Sequence, residues 1–331
     1  MRMTLLDGLP SECRAKDVEG KEIMSRIHEA LLKAQQDRAV LLHDPAALPA
    51  ETARTESTGG NAAPSHVANF TLNTSVNVSS HEDVLRYEEL ITRCAHPQWH
   101  PDPNENVFRN SESTSHEAEQ FRTLRSRLYQ LRANQPLQTL LVTSSVPAEG
   151  KTFMTNNLAQ SLVLKQDCRV LLIDADLRRS RLHVPLGAPL APGLTDYLRG
   201  DANELAVIQK GQKFNLCLVA GGNEVADPSE LLSNGRLKVL MDRMKNIFDW
   251  IIVDSPPCLP VADSSGLADL CDGVLLVVRA GSTPSEVAQK TCKQLESKNV
   301  VGVVLNAVEK NHSSSNYYGE YGTVRDKKSS K

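Results

Sequence analysis

The sequence contains no apolar stretch approaching the ~20 residues that a membrane-crossing helix needs. Its longest apolar runs, such as Val274-Leu275-Leu276-Val277-Val278, are the length of a strand. Met1 to Pro10 lacks the basic end followed by an apolar block that marks a secretory leader. Neither sign of charge dominates: the formal charge is −3 and the pI about 6.3, which gives no global basic field for nucleic acid. The seven cysteines, at 13, 94, 168, 217, 258, 271 and 292, are odd in number and form no Cys-x-x-Cys pair. That pattern fits reduced thiols. These absences lead to the expectation of a cytoplasmic protein with no membrane span of its own, so that any membrane association runs through a partner.

What is present sorts into three parts. Residues 1–114 read as an N-terminal extension. One amphipathic helix at about 22–38 carries Ile27, Ala30, Leu31 and Ala34 on one face, and a linker rich in Pro, Gly, Ser, Thr and Asn runs over 44–80. Residues 115–310 alternate apolar strand-length runs with helical patterns. This is the signature of an α/β fold with a doubly wound, mainly parallel sheet flanked by helices. Residues 311–331 form a Ser-rich polar tail, for which flexibility is expected.

The first strand-like feature of the middle part is the one that organises it. Leu140-Leu141-Val142 leads into Thr143-Ser144-Ser145-Val146-Pro147-Ala148-Glu149-Gly150-Lys151-Thr152, and a helical pattern runs from Phe153 to Leu164. Strand, tight loop, Gly-Lys-Thr and helix make a phosphate-binding loop, in which backbone N–H groups and the positive helix end face an anion. The candidate nucleotide-binding residues are Ser145, Ala148, Glu149, Gly150, Lys151, Thr152 and Phe153. Lys151 is placed for the outer phosphates and the Thr152 hydroxyl for Mg²⁺. Ser145 stands where such loops usually have their first glycine.

Two further apolar runs end in carboxylates: Arg169 to Ile173 precedes Asp174-Ala175-Asp176, and Trp250 to Val253 precedes Asp254. Buried parallel strands read as continuous apolar runs, and ligands in such sheets bind at the carboxyl ends of the strands. The three carboxylates are therefore expected at the same edge as the loop. Phosphoryl transfer consists mostly of positioning and charge neutralisation. Asp254 is placed to hold a metal or its water shell, and Asp174 or Asp176 to accept the proton of an attacking hydroxyl. Further strands are expected at Leu216–Val219, Gly273–Val278 and Val300–Ala307, and helices at His116–Ala133, Pro228–Leu240 and Pro284–Ser297. Asp227 reads as an N-cap, with Pro228 at the first helical position and Glu230 completing a capping box.

Two surface features remain. Glu119, Arg122 and Arg125 neighbour one another on one side of the His116–Ala133 helix, as a solvated salt-bridge face or as a charged contact with another subunit. Tyr317, Tyr318 and Tyr321 put half of the six tyrosines into the polar tail. Tyrosine favours packed or strand positions, so these three read either as a local aromatic patch or as phosphate acceptors.

Together these segments resemble the bacterial tyrosine autokinases of capsule and exopolysaccharide synthesis, from about Ser115 to the end of the chain. Glu119-Gln120-Phe121-Arg122-Thr123-Leu124-Arg125 is similar to the family's oligomerisation helix, and Ser144 to Thr152 to its Walker A loop. Leu172-Ile173-Asp174-Ala175-Asp176-Leu177-Arg178-Arg179 is similar to its Walker A′ motif, and Ile251-Ile252-Val253-Asp254-Ser255-Pro256-Pro257 to its Walker B motif. Asp227-Pro228-Ser229-Glu230-Leu231-Leu232 also fits. Ser25-Arg26-Ile27-His28-Glu29-Ala30-Leu31 resembles the opening of stand-alone members that lack a fused membrane domain. The resemblance implies a P-loop NTPase fold and autophosphorylation dependent on ATP and Mg²⁺, on Tyr317, Tyr318 and Tyr321, in trans within a ring-like homo-oligomer assembled through Glu119, Arg122 and Arg125. It implies catalytic roles for Lys151, Asp174, Asp176 and Asp254, with Asp174 activating the acceptor and Thr152, Asp176 and Asp254 serving the metal. It also implies a membrane-spanning polysaccharide chain-length regulator as activating partner. Ser180 departs from the proline common in the family. Partitioning and division-site ATPases share the fold and loop but generally carry an extra lysine early in the loop, and none occurs between Ser144 and Gly150. A third reading is an ATP-gated scaffold of a polysaccharide exporter that phosphorylates nothing.

Overall fold

A computed structural model describes residues 86–108, 114–212 and 214–308. The helix expected at about 22–38, the linker over 44–80 and Tyr317, Tyr318 and Tyr321 lie outside these residues.

The described chain runs α1 (Tyr87–Arg93), α2 (His116–Asn134), β1 (Thr139–Ser144), α3 (Lys151–Val163), β2 (Val170–Asp174), α4 (His183–Leu186), α5 (Leu194–Arg199), α6 (Glu204–Val207), β3 (Ile208–Lys210), β4 (Leu216–Val219), α7 (Pro228–Ser233), α8 (Arg236–Lys245), β5 (Trp250–Asp254), α9 (Asp263–Ala268), β6 (Gly273–Arg279), α10 (Ser285–Gln294) and β7 (Val300–Asn306). The strands form one sheet in the order β3-β4-β2-β5-β1-β6-β7. Every pairing is parallel except β3 with β4.

Period-2 alternation divides each central strand between two cores. Leu140, Val142, Val170, Leu172, Trp250 and Ile252 face one side, where α2 and α3 cover them with Phe121, Leu124, Leu128, Met154, Leu158 and Leu162. Leu141, Leu171, Ile173, Ile251 and Val253 face the other, under Leu194, Leu198, Leu237, Leu240 and Met244 of α5 and α8. With helices on both faces, the strands have no polar side to show, which is why they read as unbroken apolar runs. The expected doubly wound, mainly parallel sheet is the observed one.

Four details differ from the sequence reading. The helix expected over Pro228–Leu240 is two helices, because Gly235 adopts φ 82°, in the left-handed region, between α7 and α8. Asp227 does stand at the N-cap of α7 with Pro228 following, but its side chain makes no cap hydrogen bond, so the capping box does not form. The short antiparallel strand β3 was not anticipated. Residues 86–108, assigned above to the N-terminal extension, pack onto the folded unit. Ala95 pairs with Gln209 at the sheet edge, Leu90 joins one core, and Trp99 and Phe108 join the other.

Candidate active site

β1, β2 and β5 are central neighbours, and their parallel register brings their carboxyl ends together. Asp174 pairs with Asp254, and Val142 pairs with Asp254 from the other side. The loop that leaves β1 therefore sits directly over both strand-end carboxylates.

That loop holds its shape through local chemistry. Ala148 (φ 64°) and Gly150 (φ 91°) are both left-handed. At Gly150 a Cβ would lie 2.2 Å from the amide nitrogen of Asn306, which itself donates to the Glu149 carbonyl at 2.9 Å. A glycine is needed there on both counts. The Glu149 carboxylate turns inward, accepting from the Val146 N–H at 2.8 Å, from the Arg279 N–H at 3.2 Å and from the Thr283 hydroxyl. Glu149 was expected among the nucleotide-binding residues; its side chain is a brace that ties the loop to the end of β6. Ser145 is fully buried and its hydroxyl has no hydrogen-bond partner among the described residues. A buried unmade hydrogen bond costs ~1–3 kcal/mol, so this atom fits a loop that closes around an anion.

Lys151 opens α3 and reaches back over the strand ends. Its Nζ lies 2.8 Å from Asp176 Oδ2 and 3.8 Å from Asp254 Oδ2. Burial alone would lower its pKa, but the Asp254 and Asp176 carboxylates hold it above the ordinary value. The Thr152 hydroxyl donates to Asp254 Oδ2 at 2.7 Å, and Thr155, one turn further along α3, donates to Asp254 Oδ1 at 3.2 Å. Burial raises the pKa of Asp254, and Lys151 and these two hydroxyls act against the rise. Thr152, Asp176 and Asp254 thus present hydroxyl and carboxylate oxygens in one cluster, the donor set that Mg²⁺ prefers.

Asp174 is differently placed. It has no exposed surface, its Oδ1 accepts from the Asp176 N–H at 3.2 Å, and its Oδ2 accepts from the Ser180 hydroxyl at 2.7 Å and the Leu182 N–H at 3.0 Å. Burial first, and then the Asp254 carboxylate, push it up to about 7. Ser180 and the Leu182 N–H occupy Oδ2 of this buried carboxylate, and a hydroxyl would have to displace Ser180 to bond there.

The sequence reading brought Lys151, Thr152, Asp174, Asp176 and Asp254 to one edge, and the structure places them together. It missed Thr155, whose position one turn past Thr152 on α3 was the available signal, and the Arg178–Asp263–Ser229 cluster, which has no local signal. Arg178 donates to Asp263 Oδ2 at 2.9 Å and to the Ser229 hydroxyl at 2.7 Å. Glu119, Arg122 and Arg125 do not form one free face. Glu119 and Arg122 pair with each other, whereas Arg125 donates to the Ser161 carbonyl at 2.6 Å and so ties α2 to α3.

The chain is similar to several known proteins. A family profile described as an AAA domain matches residues 148–298. The tyrosine-protein kinase YwqD of Bacillus subtilis is 33% identical over 224 residues, 66% of this chain and 92% of that protein. The tyrosine-protein kinase CpsD of Streptococcus agalactiae is 35% identical over 192 residues, 57% of this chain and 83% of that one. By contrast, the chain spans 28% of the tyrosine-protein kinase etk of Escherichia coli, to which it is 33% identical over 202 residues, 60% of this chain. The solved kinase domain of E. coli ETK superposes with a TM-score of 0.56 at 33% identity, over 61% of this chain and 80% of that domain. A P-loop nucleotide site, its carboxylates and these relatives agree: the chain belongs to the bacterial tyrosine-protein kinase family.

Proposed function

We propose that the chain transfers the γ-phosphoryl group of ATP to Tyr317, Tyr318 and Tyr321 of a neighbouring copy, and that this controls exopolysaccharide or capsule polymerisation and export. The observation that supports this most is the cluster of Lys151, Thr152, Asp176 and Asp254 behind a loop whose buried Ser145 hydroxyl lacks a partner. The backbone N–H groups of Ala148 to Phe153 and the α3 dipole would hold the phosphates of ATP. Lys151 would leave Asp176 for the outer phosphates, its charge fixed by the surrounding carboxylates. Thr152, Asp176 and Asp254 would hold Mg²⁺, which supplies further positive charge against the oxygens of the migrating group. The tyrosine oxygen bonds to the γ-phosphorus as the bond to the bridging oxygen breaks. ADP leaves, and the phenolic proton passes to a carboxylate, with Asp174 in that role once Ser180 releases it. Glu119 and Arg122 would contribute to a ring-like oligomer, and a membrane-spanning chain-length regulator would activate it and bring it to the membrane.

The test incubates the full chain with Mg-ATP, with and without the cytoplasmic tail of the candidate regulator, and probes phosphotyrosine. Lys151→Met should lower the signal at least ~100-fold, the scale of losing fixed transition-state charge, and replacing the three tyrosines by phenylalanine should abolish it. ATP hydrolysis with no phosphotyrosine in any arm would reject the acceptor reading and favour an ATPase.

A further inference from the structure

The loop after β2 carries three arginines in four residues, Arg178-Arg179-Ser180-Arg181, all three exposed, immediately beyond Asp176. It turns back on that carboxylate, because the Arg179 N–H donates to Asp176 Oδ1 at 3.1 Å and to the Asp176 carbonyl at 3.0 Å. A run of surface arginines is ordinarily a solvated edge. Arg178 is more constrained than that. Its Nε and one Nη donate to Asp263 and Ser229, and Ser229 donates to the other oxygen of the same carboxylate. The Asp263 side chain is 2% exposed while that of Arg178 is 41% exposed, so one edge of the guanidinium is fixed by a buried anchor and the remainder faces outward. The anchors begin α7 and α9, so Arg178 also joins the loops that follow β2, β4 and β5 at the phosphotransfer edge.

A fixed guanidinium with a free edge, flanked by two further arginines, suits a carboxylate. The expected acceptor segment supplies one. In Asn316-Tyr317-Tyr318-Gly319-Glu320-Tyr321-Gly322, Glu320 lies between the tyrosines, and it is the only charged residue from 311 to 324. The chain reaches this segment from the correct side. β7 is parallel to β6, its last residue Asn306 touches the phosphate loop, and Glu320 follows Val308 by twelve residues, a span of up to ~40 Å.

We propose that Arg178, Arg179 and Arg181 form the acceptor-docking rim of the kinase, and that they select a tyrosine flanked by an acidic residue, which in this chain is Glu320. The inference rests on the tail tyrosines being the acceptors. Asp176 and Asp227 lie in the field of Arg178 and would disfavour an acidic segment that lacked the neighbouring Arg179 and Arg181, so the rim acts as a group.

The experiment uses the full-length chain and two soluble peptides spanning residues 316–324, one natural and one with Glu320→Gln. Initial phosphorylation rates are followed over peptide and ATP concentration. Wild type should favour the natural peptide about fivefold in kcat/KM, the scale of a well-placed exposed ion pair, with the difference in KM for peptide. Arg178→Gln/Arg181→Gln should reduce the preference to near unity while leaving the KM for ATP unchanged. Because Arg178 also braces three loops, Arg181→Gln alone is the second variant. Its side chain is exposed, and it should lose a measurable part of the preference. Equal use of both peptides by wild type overturns the proposal, as does an undiminished preference in both variants. Loss of kcat on both peptides alike would assign Arg178 a bracing role only and also overturn it. Phosphotyrosine on neither peptide, alongside none on the chain, would mark failure of the acceptor reading itself, and the docking rim would fall with it.

Discussion

Asp174 has no solvent exposure, yet it pairs in register with a second buried carboxylate, Asp254. Its three donors, Asp176 N–H, Ser180 hydroxyl and Leu182 N–H, favour the charged form, but burial outweighs them and its pKa rises to about 7. A carboxylate that holds its proton more tightly in the folded chain than in the unfolded one contributes stability at low pH. That contribution is complete below the ordinary carboxylate range near ~4 and is lost as pH rises through about 7. Asp174→Asn removes the titration. Thermal melts of the nucleotide-free chain at pH 5 and pH 8 should show wild type losing more Tm than the variant between the two values. Parallel slopes would mean that Asp174 stays ionised across the range. The same residue supplies the hinge of the catalytic reading, because Ser180 has to let go before Asp174 can accept a proton from a tyrosine.

At the scale of elements, the phosphate-loop helix α3 is held from two sides. Arg125 fastens it to α2, and a set of amides fastens it to the segment after α1. Asn106 accepts from Asn156 at 3.0 Å and from Gln160, and donates to the Asp102 and Pro185 carbonyls. Asn157 accepts from the Val107 N–H at 2.7 Å and donates to the Glu105 carbonyl at 3.0 Å. Asn156 and Asn157 have no exposure, and Asn106 has 6%. Asn106→Ala removes the acceptor shared by Asn156 and Gln160, which keep their bonds to the Glu105 carbonyl and Asn156 Oδ1, and with it the two bonds Asn106 donates, at about 1–3 kcal/mol in all. In a domain of this size each kcal/mol lowers Tm by about 2–4 °C. Hydrogen exchange at Val107 should accelerate together with the fall in Tm; a lowered Tm with Val107 still protected would mean that the segment is held by Trp99 and Phe108 instead. None of this was legible in the sequence. Asn106 lies fifty or more residues from its partners on α3 and carries the residue type of a solvated loop, so the segment was counted with the N-terminal extension. The phosphate loop, the strands ending in Asp174 and Asp254 and the α2 helix were legible because each signal is local: an apolar run, a Gly-Lys-Thr, a 3.6-residue stripe. Ser180 and Asp263 join the site only through the fold.

The whole molecule places its proposed donor site and its proposed acceptors on one chain, so transfer within a copy competes with transfer between copies. Lys151 and the carboxylates sit at the carboxyl edge of the sheet, and β7 delivers residue 308 to the same edge, so reach alone permits transfer within a copy. On α2 the Glu119 side chain is 63% exposed, whereas that of its partner Arg122 is 23% exposed and lies over the Phe108 ring at 5.9 Å, so Glu119 is the part of this pair open to the proposed neighbouring copy. A mixing experiment decides. One chain carries Lys151→Met with an intact tail, and the other is catalytically intact but ends at residue 310; neither can label itself if the reading is right. Combined with Mg-ATP, they should restore phosphotyrosine on the Lys151→Met chain alone, at a rate that rises with the concentration of the truncated partner. Adding Glu119→Ala and Arg122→Ala to both chains should weaken that transfer and shift the sedimentation profile toward smaller species. Arg125→Ala should in addition lower Tm, because it breaks the bond to Ser161. If the mixture stays dark while wild type labels itself at a rate per molecule independent of concentration, transfer occurs within a single copy and the ring is not needed for it.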